Sequence, residues 1–299
     1  MIPVHVSVMP TQVMDYLVPQ VDSPLIVDGT LGEGGHSSRF LEAYPKARVI
    51  GIDADSVMAG RASERLVSWG NRFQAKIGWT DEVLQTWTED APDIILMDLG
   101  ISIYHYEGRG RGFSFRSDEP LDMRLGDQDQ SAADLVNTLP EQELADVIYK
   151  YGEERFSRRI ARRIVEERRG NPFEDAARLA AVVATAYPAK ARHGRLHAAT
   201  RTFQALRIAV NGELDRLESL LKTAPQLLAP GGRLGIISFH SLEDRIVKHA
   251  FRGMDKRFGG QFEVLTRKPL VPDEEECRQN PPSRSAKFRV IEKPLEFSS

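Results

Sequence analysis

Residues 25–37 read LIVDGTLGEGGHS, and this stretch restricts the fold more than any other. Three apolar residues, Leu25, Ile26 and Val27, run into an acid, Asp28. Glycines follow at 29, 32, 34 and 35, and His36 and Ser37 then open a helical stretch. A buried strand that breaks into a glycine turn and feeds a helix is how an α/β sheet makes a nucleoside site. The acid narrows the ligand. A dinucleotide loop cradles a pyrophosphate with bare N–H groups and a helix N-terminus, and a carboxylate at the strand end repels that anion. The spacing also lacks G-x-G-x-x-G. Both features disfavour NAD and suit a ligand with a positive centre and no phosphate, such as S-adenosylmethionine.

The rest of the chain supports the sheet. Residues 10–20 have the spacing of a short amphipathic helix. A second strand, 48–53, ends in Asp53, 21 residues after Gly32, the distance at which an acid hydrogen-bonds ribose hydroxyls. A helix over 55–69, a third strand over 72–77 and a fourth over 93–99 follow. Strands alternating with helices at this spacing imply a parallel, doubly wound sheet. The alternation then stops. Residues 105–126 have loop composition, and from about 131 to 186 only helical periodicity appears, with helices expected over 141–151, 153–169 and 174–186. A longer helical pattern starts near Ala199. A buried strand returns at 232–239, a helix at 241–252, and strands near 262–267 and 287–292 close the chain. With no obvious helix between them, these last two read as an antiparallel hairpin. The expected fold is therefore α/β, a Rossmann-like doubly wound sheet with an inserted all-helical domain. The core spans residues 1–110 and 205–299, and the insertion spans 111–204.

Composition removes several classes. With one cysteine, Cys277, an internal disulfide framework is impossible, which fits a reducing cytosol. The N-terminus lacks the pattern of a signal peptide, and no apolar run approaches the ~20 residues of a membrane span. A cytoplasmic, membrane-free protein is expected. No His/Cys cluster has metal-ligand spacing. Charge is unevenly spread. Residues 1–130 hold 20 Asp and Glu against 11 Lys and Arg, whereas residues 150–207 hold 14 Lys and Arg against 6 acids. A net +8 over that stretch points to a polyanionic partner.

Four constellations carry chemistry. Asp28, Gly32, Gly34, Gly35 and His36, with Asp53, form the expected cofactor site. Asp98, at the end of the fourth strand and followed by Leu99, Gly100, Ile101 and Ser102, faces the same crevice, because ligands bind outside the carboxyl ends of such strands. An exocyclic cytosine amine is a poor nucleophile, since its lone pair is delocalised. Acceptors such as Asp98 and Ser102 can bend it toward sp³ geometry and take its proton. SFHSLEDR, 238–245, follows the fifth strand, where His240 is placed to relay a proton or stack on a base and Phe239 to hold a base out of its helix. Last come the arginine-rich stretches: GRGRGFSFR (108–116) with Arg109, Arg111 and Phe113; the helix with Arg158, Arg159 and Arg162; and HGRLHAATRTFQALR (193–207) with Arg195 and Arg201. These suit phosphate contact and base stacking.

With these residues in view, the chain resembles the bacterial small-subunit rRNA cytosine-N4 methyltransferase family, the MraW/RsmH type. The resemblance covers nearly the full length through DGTLGEGGHS, GIDAD, DLGIS, RGFSF, PLDMRL, YGEERFSRRIARRIV, ATRTFQALRI, LAPGGRL, IISFHSLEDRIVK and SRSAKFR. It implies a Rossmann-like S-adenosylmethionine-dependent methyltransferase sheet with an inserted all-helical domain, and methyl transfer from S-adenosylmethionine to N4 of a cytidine in the decoding region of 16S rRNA, on an assembled small subunit. It also implies that Gly34, Gly35 and His36 are the cofactor loop, Asp53 the ribose acid and Asp98 the acid beside the cofactor. Two cofactor positions depart from the family pattern, and the family's HPATR reads HAATR (197–201) here. The aromatic residue after the third strand is displaced to Trp79, in Gly78-Trp79-Thr80. His105 stands where a glutamine is usual. Trp79, Thr80 and His105 are expected near the adenine on chemical grounds. Two other readings compete: a methyltransferase for another RNA or a protein, and an RNA-binding assembly factor with a cofactor pocket but little catalysis. The intact acids Asp28, Asp53 and Asp98 speak against the assembly factor.

Overall fold

The computed structural model describes residues 6–100, 110–114, 119–188 and 197–295. The chain divides into two compact units, Met1–Ile101 with Leu214–Ser299, and Ser102–Glu213. In chain order the first unit begins with α1 (Pro10–Tyr16), β1 (Leu25–Asp28), α2 (Gly35–Ala43), β2 (Arg48–Asp53), α3 (Ser56–Arg65), β3 (Phe73–Ile77), α4 (Thr80–Gln85) and β4 (Ile94–Asp98). The second unit holds α5 (Ala132–Thr138), α6 (Glu141–Gly152), α7 (Ser157–Arg168), α8 (Ala176–Ala186) and α9 (Thr200–Asn211). The chain then rejoins the first unit with α10 (Glu213–Leu227), β5 (Arg233–Ser238), α11 (Ser241–Met254), β6 (Glu263–Val264), α12 (Glu274–Gln279) and β7 (Lys287–Glu292).

The first unit is built on a seven-stranded sheet of order β3-β2-β1-β4-β5-β7-β6. Strands β1 to β5 run parallel, and β7 is antiparallel to both β5 and β6. The period of two along each strand divides its side chains between two cores. Val27, Ile50, Ile95 and Ile236 face Leu217 and Leu221 of α10 and Phe251 of α11. Ile26, Val49, Leu96 and Ile237 face Val13 of α1 and Phe40 of α2. Because both faces are covered, β1 is apolar throughout rather than alternating. Each fully buried aliphatic side chain contributes roughly 1.5–3 kcal/mol, so a charge at Val27 would break the sheet at its centre.

Several boundaries differ from the sequence expectation. α1 ends at Tyr16 rather than at 20, because Leu17 leaves helical backbone and Pro19 follows. α3 stops at Arg65, and Val67–Arg72 winds as a 3₁₀ segment interrupted at Gly70. β6 and β7 pair antiparallel as expected, but α12 and a 3₁₀ turn, Pro281–Ser285, lie between them, so the connection is not a tight hairpin.

The second unit is helical. Ser131 and Asp134 form a capping box at the start of α5, with Asp134 N–H donating to Ser131 Oγ and Ser131 N–H to Asp134 Oδ2. α6 buries Leu144, Ala145 and Ile148, α7 buries Ile160, Ala161 and Ile164, and α8 buries Leu179, Ala180 and Val183. A Cβ on Gly152 would lie 2.5 Å from the Arg201 carbonyl oxygen, so only glycine lets α6 and α9 approach this closely. All of α9 belongs to this unit, which spans Ser102–Glu213. Among the described residues, no helix is long and apolar enough to cross a membrane.

Candidate active site

Asp28, Asp53 and Asp98 are the last residues of β1, β2 and β4. Parallel pairing of these three strands puts their carboxyl ends on one edge of the sheet. The glycine loop crosses that edge. Leu31 N–H donates to the Ile52 carbonyl (2.9 Å) and Gly32 N–H to Asp53 Oδ2 (2.8 Å), which docks the loop on β2. Gly34 then adopts φ +76, caps α2 and donates to the Leu31 carbonyl.

Asp53 Oδ1 accepts the Asp55 N–H (2.8 Å), and Asp55 in turn caps α3 by accepting from Val57 N–H. Both oxygens of Asp53 are thus held in place by backbone donors. Each carboxylate oxygen offers two acceptor sites, the arrangement a ribose diol requires.

Asp28 lies beneath the loop and is only 1% exposed. Ser37 Oγ donates to its Oδ2 (2.7 Å), and its Oδ1 has no partner among the described residues. Burial pushes its carboxyl above the usual range, and the nearby Asp98 adds to this. His36, Ser37 and the Thr30 backbone pull the other way without restoring it. Asp98 is held by its own N–H, which donates to Thr30 Oγ1 (2.6 Å), and by Gly100 N–H, which donates to its Oδ1 (3.1 Å). Its Oδ2 lies 3.7 Å from His36 Nε2. Neither ring nitrogen of His36 has a hydrogen-bond partner among the described residues, although His36 is only 7% exposed. The Phe239 ring lies against Gly100, leaving no room for a Cβ there.

Three expectations change. Thr80 is buried, and its hydroxyl donates to the Gly29 carbonyl, so it ties β1's turn to α4 instead of presenting a group to an adenine. His240 is the N-cap of α11: its Nδ1 accepts the Glu243 N–H, and Glu243 accepts the His240 N–H in return. A ring committed to a capping box is poorly placed to relay protons or to stack on a base. Phe113 is only 5% exposed, within the helical unit, and so lacks the free face that base stacking requires. Trp79 is half-buried, and one face of its ring carries the Arg216 guanidinium at 4.1 Å. Arg216 also pairs with Asp81 (3.0 Å) and Glu82 (2.7 Å).

In the helical unit, Arg158, Arg159, Arg162 and Arg201 are all exposed. Arg162 pairs with Glu141 at 3.5 Å, and Arg201 donates to the Glu153 carbonyl at 3.3 Å. Arg111 lies on the backbone that pairs with Met123. Ser102, His105, Arg109 and Arg195 lie outside the described residues.

The donor set of this edge can be tested against candidate ligands. A diphosphate needs unpaired N–H groups or cationic side chains. Here the Gly32 and Gly34 N–H groups are already used, and three carboxylates border the loop. An adenosine with a positive centre fits better. Asp53 suits the ribose, and the unpartnered Oδ1 of Asp28 and the Oδ2 of Asp98 leave negative potential where a cation would be stabilised. Sequence reasoning missed Thr30, Ser37 and Arg216 as supports of this site. Thr30 and Ser37 stood inside the opening motif and had a local signal. Arg216 had none.

A family model described as the MraW methylase family matches residues 3–294. A protein of Treponema denticola named ribosomal RNA small subunit methyltransferase H is 52% identical, over 97% of this chain and 98% of its own length. A protein of the same name from Synechococcus elongatus is 48% identical, over 98% of this chain and 96% of its own. Among solved structures, an rRNA methylase from Streptococcus thermophilus aligns over 99% of both chains with a TM-score of 0.41 at 13% identity.

Proposed function

The chain belongs to the MraW methylase family, and from that premise we propose that it transfers a methyl group from S-adenosylmethionine to the N4 amine of a cytidine in 16S rRNA. The target lies in the decoding region of the small ribosomal subunit, and the reaction takes place in the cytoplasm. The observation that carries this reading is the convergence of Asp28, Asp53 and Asp98 on one sheet edge, with Asp28 Oδ1 buried and unpartnered among the described residues and the Gly32 and Gly34 N–H groups already used. The names of the curated relatives support small-subunit rRNA as the substrate.

S-adenosylmethionine supplies an electrophilic methyl on a sulfonium. The chain's own residues bind and orient. Asp53 takes the ribose hydroxyls, and Gly32, Gly34, Gly35 and His36 shape the loop over the cofactor. Asp28 sets the potential beneath it through Ser37. Methyl transfer is an in-line displacement, so positioning supplies most of the acceleration. Asp98, fixed from behind by Thr30 Oγ1, accepts an N–H of the target amine. That contact localises the nitrogen lone pair toward the methyl carbon. Trp79 is the aromatic side chain offered to the adenine, and the sequence motif adds Ser102 and His105 as candidates. In the helical unit Arg158, Arg159, Arg162 and Arg201, with Arg109, Arg111 and Arg195, contact rRNA phosphates.

The test is deletion of the gene followed by mapping of N4-methylcytidine on 16S rRNA, with wild type or Asp98→Ala supplied in trans. Loss on deletion, rescue by wild type and no rescue by Asp98→Ala are expected. Persistence of the modification after deletion refutes the reading. Full rescue by Asp98→Ala refutes the role of Asp98.

A further inference from the structure

Methylation of an amine leaves one proton too many. As the nitrogen–carbon bond forms, the carbon–sulfur bond breaks and its electron pair stays on sulfur. The methylated nitrogen then holds a positive charge until one N–H proton departs. Asp98 is the acceptor at hand, but a carboxylate is a weak base and must itself be cleared for the next turnover.

We propose that His36 receives this proton through Asp98, and that Asp28 and Glu276 hold the resulting imidazolium. The inference rests on the methyl-transfer reading above. His36 Nε2 lies 3.7 Å from Asp98 Oδ2, a separation that shortens to a hydrogen bond with a side-chain adjustment of under 1 Å. Both ring nitrogens are without partners among the described residues, so Nε2 is available to accept. A buried histidine that only fills space normally donates one ring N–H to a fixed acceptor. His36 does not.

The ring's surroundings are arranged for a cation. His36 stands in the first turn of α2, where the helix dipole opposes positive charge. Carboxylates from three separate elements offset this: Asp28 from β1, Asp98 from β4 and Glu276 from α12 all act on His36 electrostatically or by contact. Glu276 is not a chance neighbour. The Met9 N–H donates to its Oε1, which fixes a residue of the C-terminal segment against the N-terminal one, whose Ser7 lies against Gly35 of the loop. Within this cluster His36 is the side chain that offers a basic nitrogen without a hydrogen-bond partner among the described residues. Asp98 passes the proton from nitrogen to Nε2, and the imidazolium releases it to solvent after the product leaves. His36 therefore acts through Asp98 as a positioning and relay residue.

The test is single-turnover methyl transfer to isolated small subunits at saturating cofactor, between about pH 5.5 and 9, with nucleoside analysis of the product. Wild type should show an acid limb, because His36 must be neutral to accept. In His36→Asn the limb should vanish, and the rate at pH 7.5 should drop about 100-fold. In Glu276→Gln, which retains an acceptor for the Met9 N–H, the limb should move to lower pH, since loss of a nearby negative charge lowers the histidine pKa. If His36→Asn does not fold, the Glu276→Gln shift alone decides. An acid limb that survives His36→Asn, or one that Glu276→Gln leaves in place, overturns the proposal. Wild type that makes no N4-methylcytidine overturns the methyl-transfer reading instead, so the two failures are distinct.

Discussion

Replacing Gly34 with alanine tests the loop geometry on which the site depends. Gly34 sits at φ +76, and a Cβ there would lie 2.8 Å from Leu66 Cδ1 and 3.4 Å from Ala62 Cβ. Two costs follow. An L-residue in the left-handed region costs ~1–2 kcal/mol. Forcing a methyl against Leu66, itself fully buried, costs a further ~1–3 kcal/mol for overpacking. The sum is about 2–5 kcal/mol, unless α2 shifts to relieve the contact. A shift would carry His36 and Ser37 with it and weaken cofactor binding. Gly259→Ala is the matched control in the same unit: φ is +86, but nothing lies within 4 Å of the added Cβ, so only the conformational cost of ~1–2 kcal/mol remains. Urea denaturation of both variants, with calorimetric titration of S-adenosylmethionine, separates the two costs. Gly34→Ala should lose at least 1 kcal/mol more than Gly259→Ala, or bind the cofactor at least tenfold more weakly. Equal stability loss with unchanged affinity would refute the packing argument for this loop.

Three further outcomes follow from the structure. Burial alone would raise the Asp244 carboxyl, but hydrogen bonds and charge from Arg289 and Lys287 hold it below the usual carboxylate range. Its stabilisation is therefore present above that range and is lost as pH falls through the lowered value. Asp244→Asn strands Arg289, only 7% exposed, and should cost ~3 kcal/mol at pH 7, with the gap to wild type closing in acid denaturation series below about pH 4. Asp28 has the opposite sign: burial raises its carboxyl, so folded stability is lost as pH rises through that raised value. Asp28→Asn, which keeps an acceptor for Ser37, should therefore raise the melting temperature of the cofactor-free protein at pH 8 by ~1–3 °C while weakening S-adenosylmethionine binding at least tenfold in a calorimetric titration. A lower melting temperature would show that the buried charge is compensated. Arg158→Ala, Arg159→Ala and Arg162→Ala combined should reduce the salt dependence of small-subunit binding by about 2 in log–log slope. An unchanged slope would remove these residues from the RNA interface.

How much of this could be read in the sequence depended on where each signal lay. The sheet was legible because both of its faces are covered. β1, β4 and β5 read as short apolar runs, and the parallel pattern followed from the helices between them. The strand, glycine turn and helix that carry Asp28, Gly34 and His36 were legible because all parts of that motif are local. Glu276 is 240 residues from His36 and sits among other acids in a polar six-residue helix, where no periodicity distinguishes it. Phe113 looked like a stacking residue because its neighbours are arginine and glycine, but tertiary packing buries it. His240 looked catalytic because it is a histidine at a strand end. The spacing to Glu243 matched a capping box, with histidine in the place of the usual serine or threonine. In both cases the local chemistry was read and the competing structural use was missed. Asp28 also changed in meaning. The acid that disfavours phosphate is buried and holds Ser37 Oγ, so it is not the exposed carboxylate that the sequence suggests.

The most direct measurement is transfer of methyl-labelled S-adenosylmethionine by the purified protein to small subunits that lack the modification, followed by mass spectrometry of the nucleosides released from 16S rRNA. Label in N4-methylcytidine at a single decoding-region position, abolished in Asp98→Ala, is the expected result. Label in another base, in the ribose or in protein, or the absence of label with a bound cofactor, would contradict the assignment.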